Sequence, residues 1–165
     1  MGENDRGPLD GPGESDRPRR RIQPLGREEA LRLLGSVALG RLVFTQQALP
    51  AIRPVNHVLD GEDIIVRLSD GAAVASLASP TDGPQTVVAY EADVIDPDQH
   101  LGWSVVATGY AQLVEDPADI ARYERLVRPW VARSMTAVLR IRPELVTGFR
   151  LTCVPADVSS ALCPD

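Results

Sequence analysis

The 165-residue chain contains no lysine, because all 17 of its basic residues are arginine. This absence excludes a Schiff-base lysine and a Walker A lysine, and with them the usual pyridoxal-phosphate enzymes and ordinary P-loop NTPases. Any phosphate group that the protein binds must therefore be held by arginine, hydroxyl or backbone N–H groups.

Aromatic residues and cysteines are also scarce. The sequence has two Trp, three Tyr and two Phe, so aliphatic side chains must form most of the hydrophobic core. The two cysteines, Cys153 and Cys163, lack CxxC spacing and predict neither a zinc site nor a disulfide framework. We expect both to be free thiols.

Long hydrophobic runs and an excess of positive charge are absent as well. No stretch approaches the ~18 apolar residues of a membrane span, and the polar N-terminus has no signal-peptide core, so a cytoplasmic protein is expected. The net charge of −6 argues against binding to nucleic acid or to anionic membranes.

Composition divides the chain into three parts. Residues 1–24 are rich in Gly, Pro, Arg and acidic residues and poor in aliphatic ones, which predicts a disordered N-terminal tail. Residues 25–153 predict a single folded domain, and residues 154–165 predict a flexible C-terminal tail.

Hydrophobic patterns within the domain indicate more strand than helix. The predicted strands cover residues 39–45, 50–59, 64–68, 86–92, 103–114, 136–141 and 147–152. The predicted helices cover residues 27–34, 71–79 and 117–127. Gly109, in the middle of a long strand, predicts a bend or bulge, and residues 143–145 predict a helical turn. The pattern is typical of a mainly β fold, an antiparallel six- to seven-stranded barrel with a few helices.

Sets of catalytic or metal-binding residues are sparse. His57 lies in a predicted strand and His100 in a loop, and no HExxH, GxSxG or clustered Cys/His motif occurs. The acidic residues between 91 and 98 lack the glycine and terminal glutamate of an EF-hand loop, so we expect a solvated loop and no metal site. The sequence identifies no catalytic residue, and a hydrolase is not expected.

Two arginines flank the second predicted hairpin. Counted from the turn at residues 60–61, Arg53 and Arg67 are roughly opposite each other, as a cross-strand pair or its diagonal. Such a pair could bind a phosphate group between its guanidinium groups. The alternative is that the two side chains point to opposite faces, or that they pair with Asp63 or Asp70.

Five segments follow one another along the chain: Arg-Pro-Val-Asn-His, Ile-Ile-Val-Arg, Val-Ala-Tyr-Glu-Ala-Asp, Gly-Trp-Ser-Val-Val-Ala-Thr-Gly and Arg-Ile-Arg-Pro-Glu-Leu-Val-Thr-Gly. In this order and spacing, from about Arg27 to Leu151, the chain resembles the pyridoxamine 5'-phosphate oxidase-like family. The resemblance implies the FMN-binding split barrel fold. It also implies a homodimer with the cofactor at its interface, and oxidoreductase activity on a small-molecule substrate.

The resemblance also implies a set of cofactor-binding residues. They are Arg53, Val55, Asn56 and His57 on the second strand, Arg67, Leu68 and Ser69 at the end of the third, and Trp103 and Ser104 on the fifth. Trp130 matches a tryptophan that often borders the site, although both tryptophans could instead pack in the core.

The chain departs from the family pattern at two positions. Many members have Ser or Thr where Leu68 stands, and a phosphate-binding lysine where Ala73 stands. Arg53 and the N–H groups around Gly71 and Ala72 remain as candidate phosphate contacts. FMN is thus the first expectation, and a deazaflavin-dependent reductase is the second. A split-barrel dimer that has lost flavin binding, with a structural or ligand-sensing role, is the third.

Overall fold

The computed structural model describes residues 20–69, 71–77, 85–128 and 137–154. Its strands are β1 (Arg20–Pro24), β2 (Leu39–Gln46), β3 (Leu49–Asp60), β4 (Asp63–Leu68), β5 (Thr86–Asp96), β6 (Leu101–Leu113) and β7 (Ala137–Cys153). Its helices are α1 (Arg27–Leu34), α2 (Gly71–Leu77) and α3 (Pro117–Leu126). The predicted mainly β fold is confirmed.

Antiparallel pairing closes the strands into a barrel. The strand order is β1-β7-β4-β3-β2-β5-β6, and β6 also pairs with β7. Strand β7 is 17 residues long, so its first part lies between β4 and β6 and its last part between β1 and β6. The seven strands form the split barrel that the sequence predicts.

The barrel interior is filled mainly by aliphatic side chains, as the scarcity of aromatic residues requires. Alternate residues of β2 to β7 point inward, and α1 and α2 add Leu34 and Leu77 to the same core. A second, smaller cluster lies outside the barrel, where Tyr123 and Val127 at the end of α3 pack on Ile65 of β4 and Val138 of β7. Helix α3 is thereby fixed against the outer surface of the barrel.

Gly109 lies at an irregularity of β6, as predicted. The β6–β7 register shifts between Thr108 and Gly109. A Cβ atom at position 109 would overlap the carbonyl oxygen of Arg142, so no residue with a side chain fits there without a shift of the backbone. The bulge therefore depends on the absence of a side chain at Gly109.

The folded chain begins earlier than the composition predicts. Residues 20–24, assigned to the disordered tail, form β1 and pair with residues 149–153 of β7. The Nε of Arg20 also donates to the carbonyl oxygen of Gln99 at 2.8 Å. A backbone ladder does not require apolar side chains, so composition could not detect this strand. Residues 1–19 and 155–165, with Cys163, lie outside the described residues.

The helical turn predicted at residues 143–145 is wrong, because these residues belong to β7. Pro143 is opposite Gly109, at the irregularity where a residue without an N–H group is tolerated. Arg27 of α1 donates to the carbonyl oxygens of Pro143 and Glu144 at 2.9 and 3.3 Å. With the bulge and the hydrogen bonds from Arg27, the strands predicted at residues 136–141 and 147–152 form one continuous strand, β7.

Candidate functional site

Strands β3 and β4 separate at the residues for which cofactor contacts are predicted. Their ladder runs from the pair Asp60–Asp63 to the pair His57–Val66. Beyond it, β3 continues along β2 while β4 continues along β7. We call the resulting opening, between residues 49–56 of β3 and residues 67–69, the split. Within the described ranges no strand covers the β3 edge that faces it, and a strand edge presents backbone N–H and C=O groups.

Arg53 and Arg67 do not form the predicted cross-strand pair. The β3–β4 register continues toward Asn56 opposite Arg67, which leaves Arg53 three positions further along β3. Arg53 shares the inward face of β3 with His57, whereas Arg67 shares the outward face of β4 with Ile65. The alternative in which the two arginines point to opposite faces is the correct one.

Arg53 places a positive charge on the inner side of the split. Its Nη1 donates to the carbonyl oxygen of Ile52 at 3.0 Å, and its Nη2 donates to Oε1 of Gln46 at 3.2 Å. The guanidinium lies 6.0 Å from the ring centroid of Phe44. These contacts orient the guanidinium, and its half-buried position leaves it accessible to a ligand.

Arg67 turns away from the split and toward α3. Its Nη1 lies 3.4 Å from the carbonyl oxygens of Glu124 and Val127, and its Nη2 lies 3.3 Å from Oε1 of Glu124. The side chain is 13% exposed, and its buried Nε has no hydrogen-bond acceptor among the described residues. The charge of Arg67 is therefore directed at the outer surface of the barrel.

The other predicted cofactor contacts near the split differ in the direction of their side chains. Asn56 faces outward, and its Nδ2 donates to the carbonyl oxygen of Ala38 at 3.0 Å. Val55 packs against the main core, and Leu68 is buried within it. Ser69, just after β4, is half-buried. Val55 and Leu68 could thus contact a ligand in the split mainly through their backbone.

Trp103 and Ser104 are not brought to the split in the folded chain. They lie on β6, which β2 and β5 separate from β3, so the distance across the sheet is about 14 Å. Trp103 is 8% exposed and belongs to the main core, whereas Ser104 faces outward. The packing interpretation of Trp103 agrees with this position, and Trp130 lies outside the described residues.

His57, which the resemblance implies as a cofactor contact, is buried next to the split and paired with Tyr90, and this pairing was missed from the sequence. His57 is 3% exposed, with its Nε2 2.9 Å from the carbonyl oxygen of Leu34 and its Nδ1 2.8 Å from the Tyr90 hydroxyl. Since a carbonyl oxygen only accepts, Nε2 carries the hydrogen and Nδ1 accepts from Tyr90. The Tyr90 hydroxyl also lies 3.3 Å from the carbonyl oxygen of Val55.

Burial keeps both members of this pair neutral. Desolvation lowers the pKa of His57, and the bond to Leu34 opposes that effect only in part. Desolvation also raises the pKa of the Tyr90 hydroxyl. The pair joins the end of α1 and strand β5 to residues 55–57 of β3, and so holds the strand that borders the split. Only the β2–β3 and β2–β5 registers bring His57 and Tyr90 together, and no local pattern indicates that they pair.

The outer face of the sheet carries exposed apolar side chains across several strands. Ile52 of β3 is 57% exposed, Val87 of β5 58% and Leu145 of β7 60%. Arg41 of β2 borders them and binds two acidic residues of β5, Glu91 at 2.8 Å and Asp93 at 3.3 Å. We call this surface the outer face. Alongside it lies a groove of about 390 Å³ lined by residues 37–41, Pro54 and Asp93.

Comparison with known proteins identifies a matching family model and a similar protein. A family model described as pyridoxamine 5'-phosphate oxidase matches residues 26–150. The uncharacterized protein Rv0080 of Mycobacterium tuberculosis is 54% identical over 134 residues, which cover 80% of this chain and 87% of that protein.

Two solved structures are also similar. A candidate pyridoxamine 5'-phosphate oxidase of Corynebacterium glutamicum is 30% identical with a TM-score of 0.66, and the match covers 81% of this chain and 100% of that one. An FAD-binding protein of Mycobacterium smegmatis is 30% identical with a TM-score of 0.58, over 79% of this chain and 98% of its own. In the described ranges, none of the three helices is long and apolar enough to cross a bilayer.

Proposed function

The chain belongs to the pyridoxamine 5'-phosphate oxidase family, and on that premise we propose that it is an oxidoreductase that binds FMN in the split and acts on a small molecule. The observation that carries the proposal is the separation of β3 from β4 beyond His57 and Val66. It opens a strand edge beside the half-buried Arg53, at the strand where the resemblance implies flavin contacts. The FAD-binding relative from Mycobacterium smegmatis supports a flavin as the ligand.

Each part of the split has a distinct role in this proposal. Arg53 binds the phosphate group of the cofactor through charge-assisted hydrogen bonds. The edge of β3 at residues 53–56 offers backbone hydrogen bonds to the ring, and His57 with Tyr90 holds that edge in place. The flavin supplies the redox chemistry when bound, so the chain needs no acid–base triad for hydride transfer.

A second copy of the chain completes the proposed site. The outer face exposes Ile52, Val87 and Leu145, and apolar surface of this kind is typical of a protein–protein interface. Ile52 precedes Arg53 on β3, so a partner packed on the outer face would lie next to the cofactor. We therefore propose a homodimer with the flavin near its two-fold interface.

The departures from the family pattern at Leu68 and Ala73 support the two alternatives to FMN binding. Ala73 is fully buried in the core, so the position of the usual lysine contributes packing instead of charge. Leu68 is likewise buried where many relatives have a hydroxyl. A weaker phosphate site leaves two candidates from the same fold, a deazaflavin-dependent reductase and a dimer that has lost flavin binding.

Visible absorption separates these possibilities. The purified protein should be yellow, or should become so on addition of FMN, and heat should release FMN from it. A colourless protein that binds neither FMN nor FAD would overturn the flavin assignment. Titration with the deazaflavin cofactor then decides between the two remaining candidates.

Removing the Arg53 guanidinium tests the phosphate contact. We expect Arg53→Ala to raise the dissociation constant of FMN by about 10- to 100-fold, since a charge-assisted hydrogen bond contributes roughly 1.5–3 kcal/mol. Fluorescence quenching of FMN measures this constant. Arg32→Ala is the matched control, because Arg32 is an exposed arginine of α1 away from the split. Equal affinity in the two variants would place Arg53 outside the site.

A further inference from the structure

The side chain of Arg53 extends along the inner face of β2 toward the β2–β3 turn. Arg53 is paired with Leu42 in the β2–β3 register. Its guanidinium lies 6.0 Å from the ring centroid of Phe44, two residues further along β2, and its Nη2 donates to Oε1 of Gln46, four residues further along, at 3.2 Å. The hydrogen bond to Gln46 thus holds the guanidinium at the end of the split that is nearest to the turn.

The β2–β3 turn fixes the position of Gln46. The turn consists of Gln47 and Ala48, so that Gln46 is paired directly with Leu49. The φ angles of Gln47 and Ala48 are 50° and 62°, in the left-handed region that is unfavourable for residues other than glycine. Strained turns of this kind persist where the surrounding structure holds them, often at functional sites. The resulting register places Gln46 on the inner face of β2, in line with the buried Phe44.

The uncharged amide of Gln46 suits a site that binds a phosphate group. The Gln46 amide oxygen and the Ile52 carbonyl oxygen both accept from Arg53, so these two bonds orient the guanidinium without neutralising its charge. Arg41, in comparison, donates to two carboxylates of β5, and these reduce its positive charge. A carboxylate at position 46 would compete with the phosphate group of a ligand for the same guanidinium.

We propose that Gln46 is a positioning residue of the phosphate site, whose uncharged amide directs the Arg53 guanidinium to the phosphate group of the cofactor. The two-residue turn holds that amide in place. This inference rests on the proposed binding of FMN in the split. Because Gln46 acts through Arg53, it affects ligands that carry a phosphate group and leaves ligands without one unchanged. FMN and riboflavin differ only by the phosphate group, which makes them the matched ligands for the test.

Two substitutions at position 46 separate positioning from packing. Quenching of flavin fluorescence by the full chain measures the dissociation constants of FMN and riboflavin. Gln46→Ala should raise the FMN constant about 3- to 10-fold, because binding must then immobilise the Arg53 side chain. Gln46→Glu should raise it more, by about 10- to 100-fold, because the carboxylate neutralises Arg53. A packing role predicts the reverse order, since glutamate keeps the shape of glutamine and alanine does not. The riboflavin constant should change by less than about twofold in both variants.

Gln112→Glu is the matched control for the added negative charge. Gln112 is an exposed residue of β6 that pairs with Arg140 away from the split, so its substitution should leave FMN affinity unchanged. In an Arg53→Ala background, Gln46→Ala should have no further effect on FMN, because the guanidinium through which it acts is gone.

The outcomes distinguish this inference from the proposed function. If Arg53→Ala weakens FMN binding, three results overturn the role of Gln46 alone: Gln46→Glu binds FMN at least as tightly as Gln46→Ala, riboflavin shares the loss, or Gln46→Ala still weakens FMN binding in the Arg53→Ala background. A wild-type chain that binds no flavin, or an Arg53→Ala variant with unchanged FMN affinity, would overturn the phosphate site and the role of Gln46 together.

Discussion

The buried His57 should make the stability of the fold depend on pH in a window where few other groups titrate. Burial lowers the pKa of His57 in the folded protein, so between the folded and unfolded pKa values the unfolded chain binds one more proton. The free energy of unfolding is therefore at its full value above the unfolded pKa of ~6.5, and it falls as the pH decreases below that value.

The magnitude is limited by a single proton. One proton contributes at most about 1.4 kcal/mol per pH unit, so lowering the pH from 8 to 5.5 should reduce the free energy of unfolding by up to ~1.4 kcal/mol. The chain has two histidines, which makes the experiment specific. His100 lies in an exposed turn, whereas His57 is 3% exposed.

The assay is urea unfolding at fixed protein concentration between pH 5.5 and 8, with His57→Gln compared against His100→Gln. Glutamine at position 57 can donate to the carbonyl oxygen of Leu34 and accept from Tyr90, so the variant should fold while losing the titration. The wild type and His100→Gln should show the decrease in stability, and His57→Gln should not. A decrease that persists in His57→Gln would refute the assignment of the buried histidine as its source.

Two further predictions concern the bulge and the outer face. Gly109→Ala should destabilise the fold by about 2–4 kcal/mol in the same urea assay, because its Cβ would meet the Arg142 carbonyl oxygen. Gly26→Ala, with no atom within 4 Å of its Cβ, should cost about 1 kcal/mol or less, since it changes only the N-cap residue of α1. Similar values for the two variants would contradict the steric argument. Ile52→Arg should turn the proposed dimer into a monomer in sedimentation analysis, while Ile22→Arg on β1, equally exposed, should not. A dimer that survives Ile52→Arg would remove the outer face as the interface.

Sequence patterns predicted the barrel well because its signals are local. Alternation marks each strand, and Gly109 marks the bulge, since both depend on residues that are neighbours in sequence. Strand β1 was missed because its stabilisation comes from a ladder with β7, more than a hundred residues away. The same limit explains the arginine pair: counting from a turn ignores the separation of β3 from β4, which moves Arg53 and Arg67 onto different surfaces.

The site was predicted less well for a related physical reason. Residue type identifies which groups can bind a phosphate, but the face of the strand decides whether they meet. The His57–Tyr90 pair shows the converse, since the two residues meet beside the split although no local pattern in the sequence indicates that they pair. Its cost of burial is offset only because three elements supply partners at the correct register.

The absence of lysine has a structural consequence at position 73. Ala73 is fully buried within the core cluster that α2 shares with the barrel, so a lysine there would have to bury its ammonium group or displace the helix. The lysine that the resemblance implies for many members at this position is therefore absent here, and the space around Ala73 is filled by the core. With Arg67 bonded to α3, the proposed FMN affinity depends on Arg53 and on backbone groups of β3. Binding that depends on one guanidinium should be unusually sensitive to its removal, which makes Arg53→Ala the most informative single substitution for the flavin hypothesis.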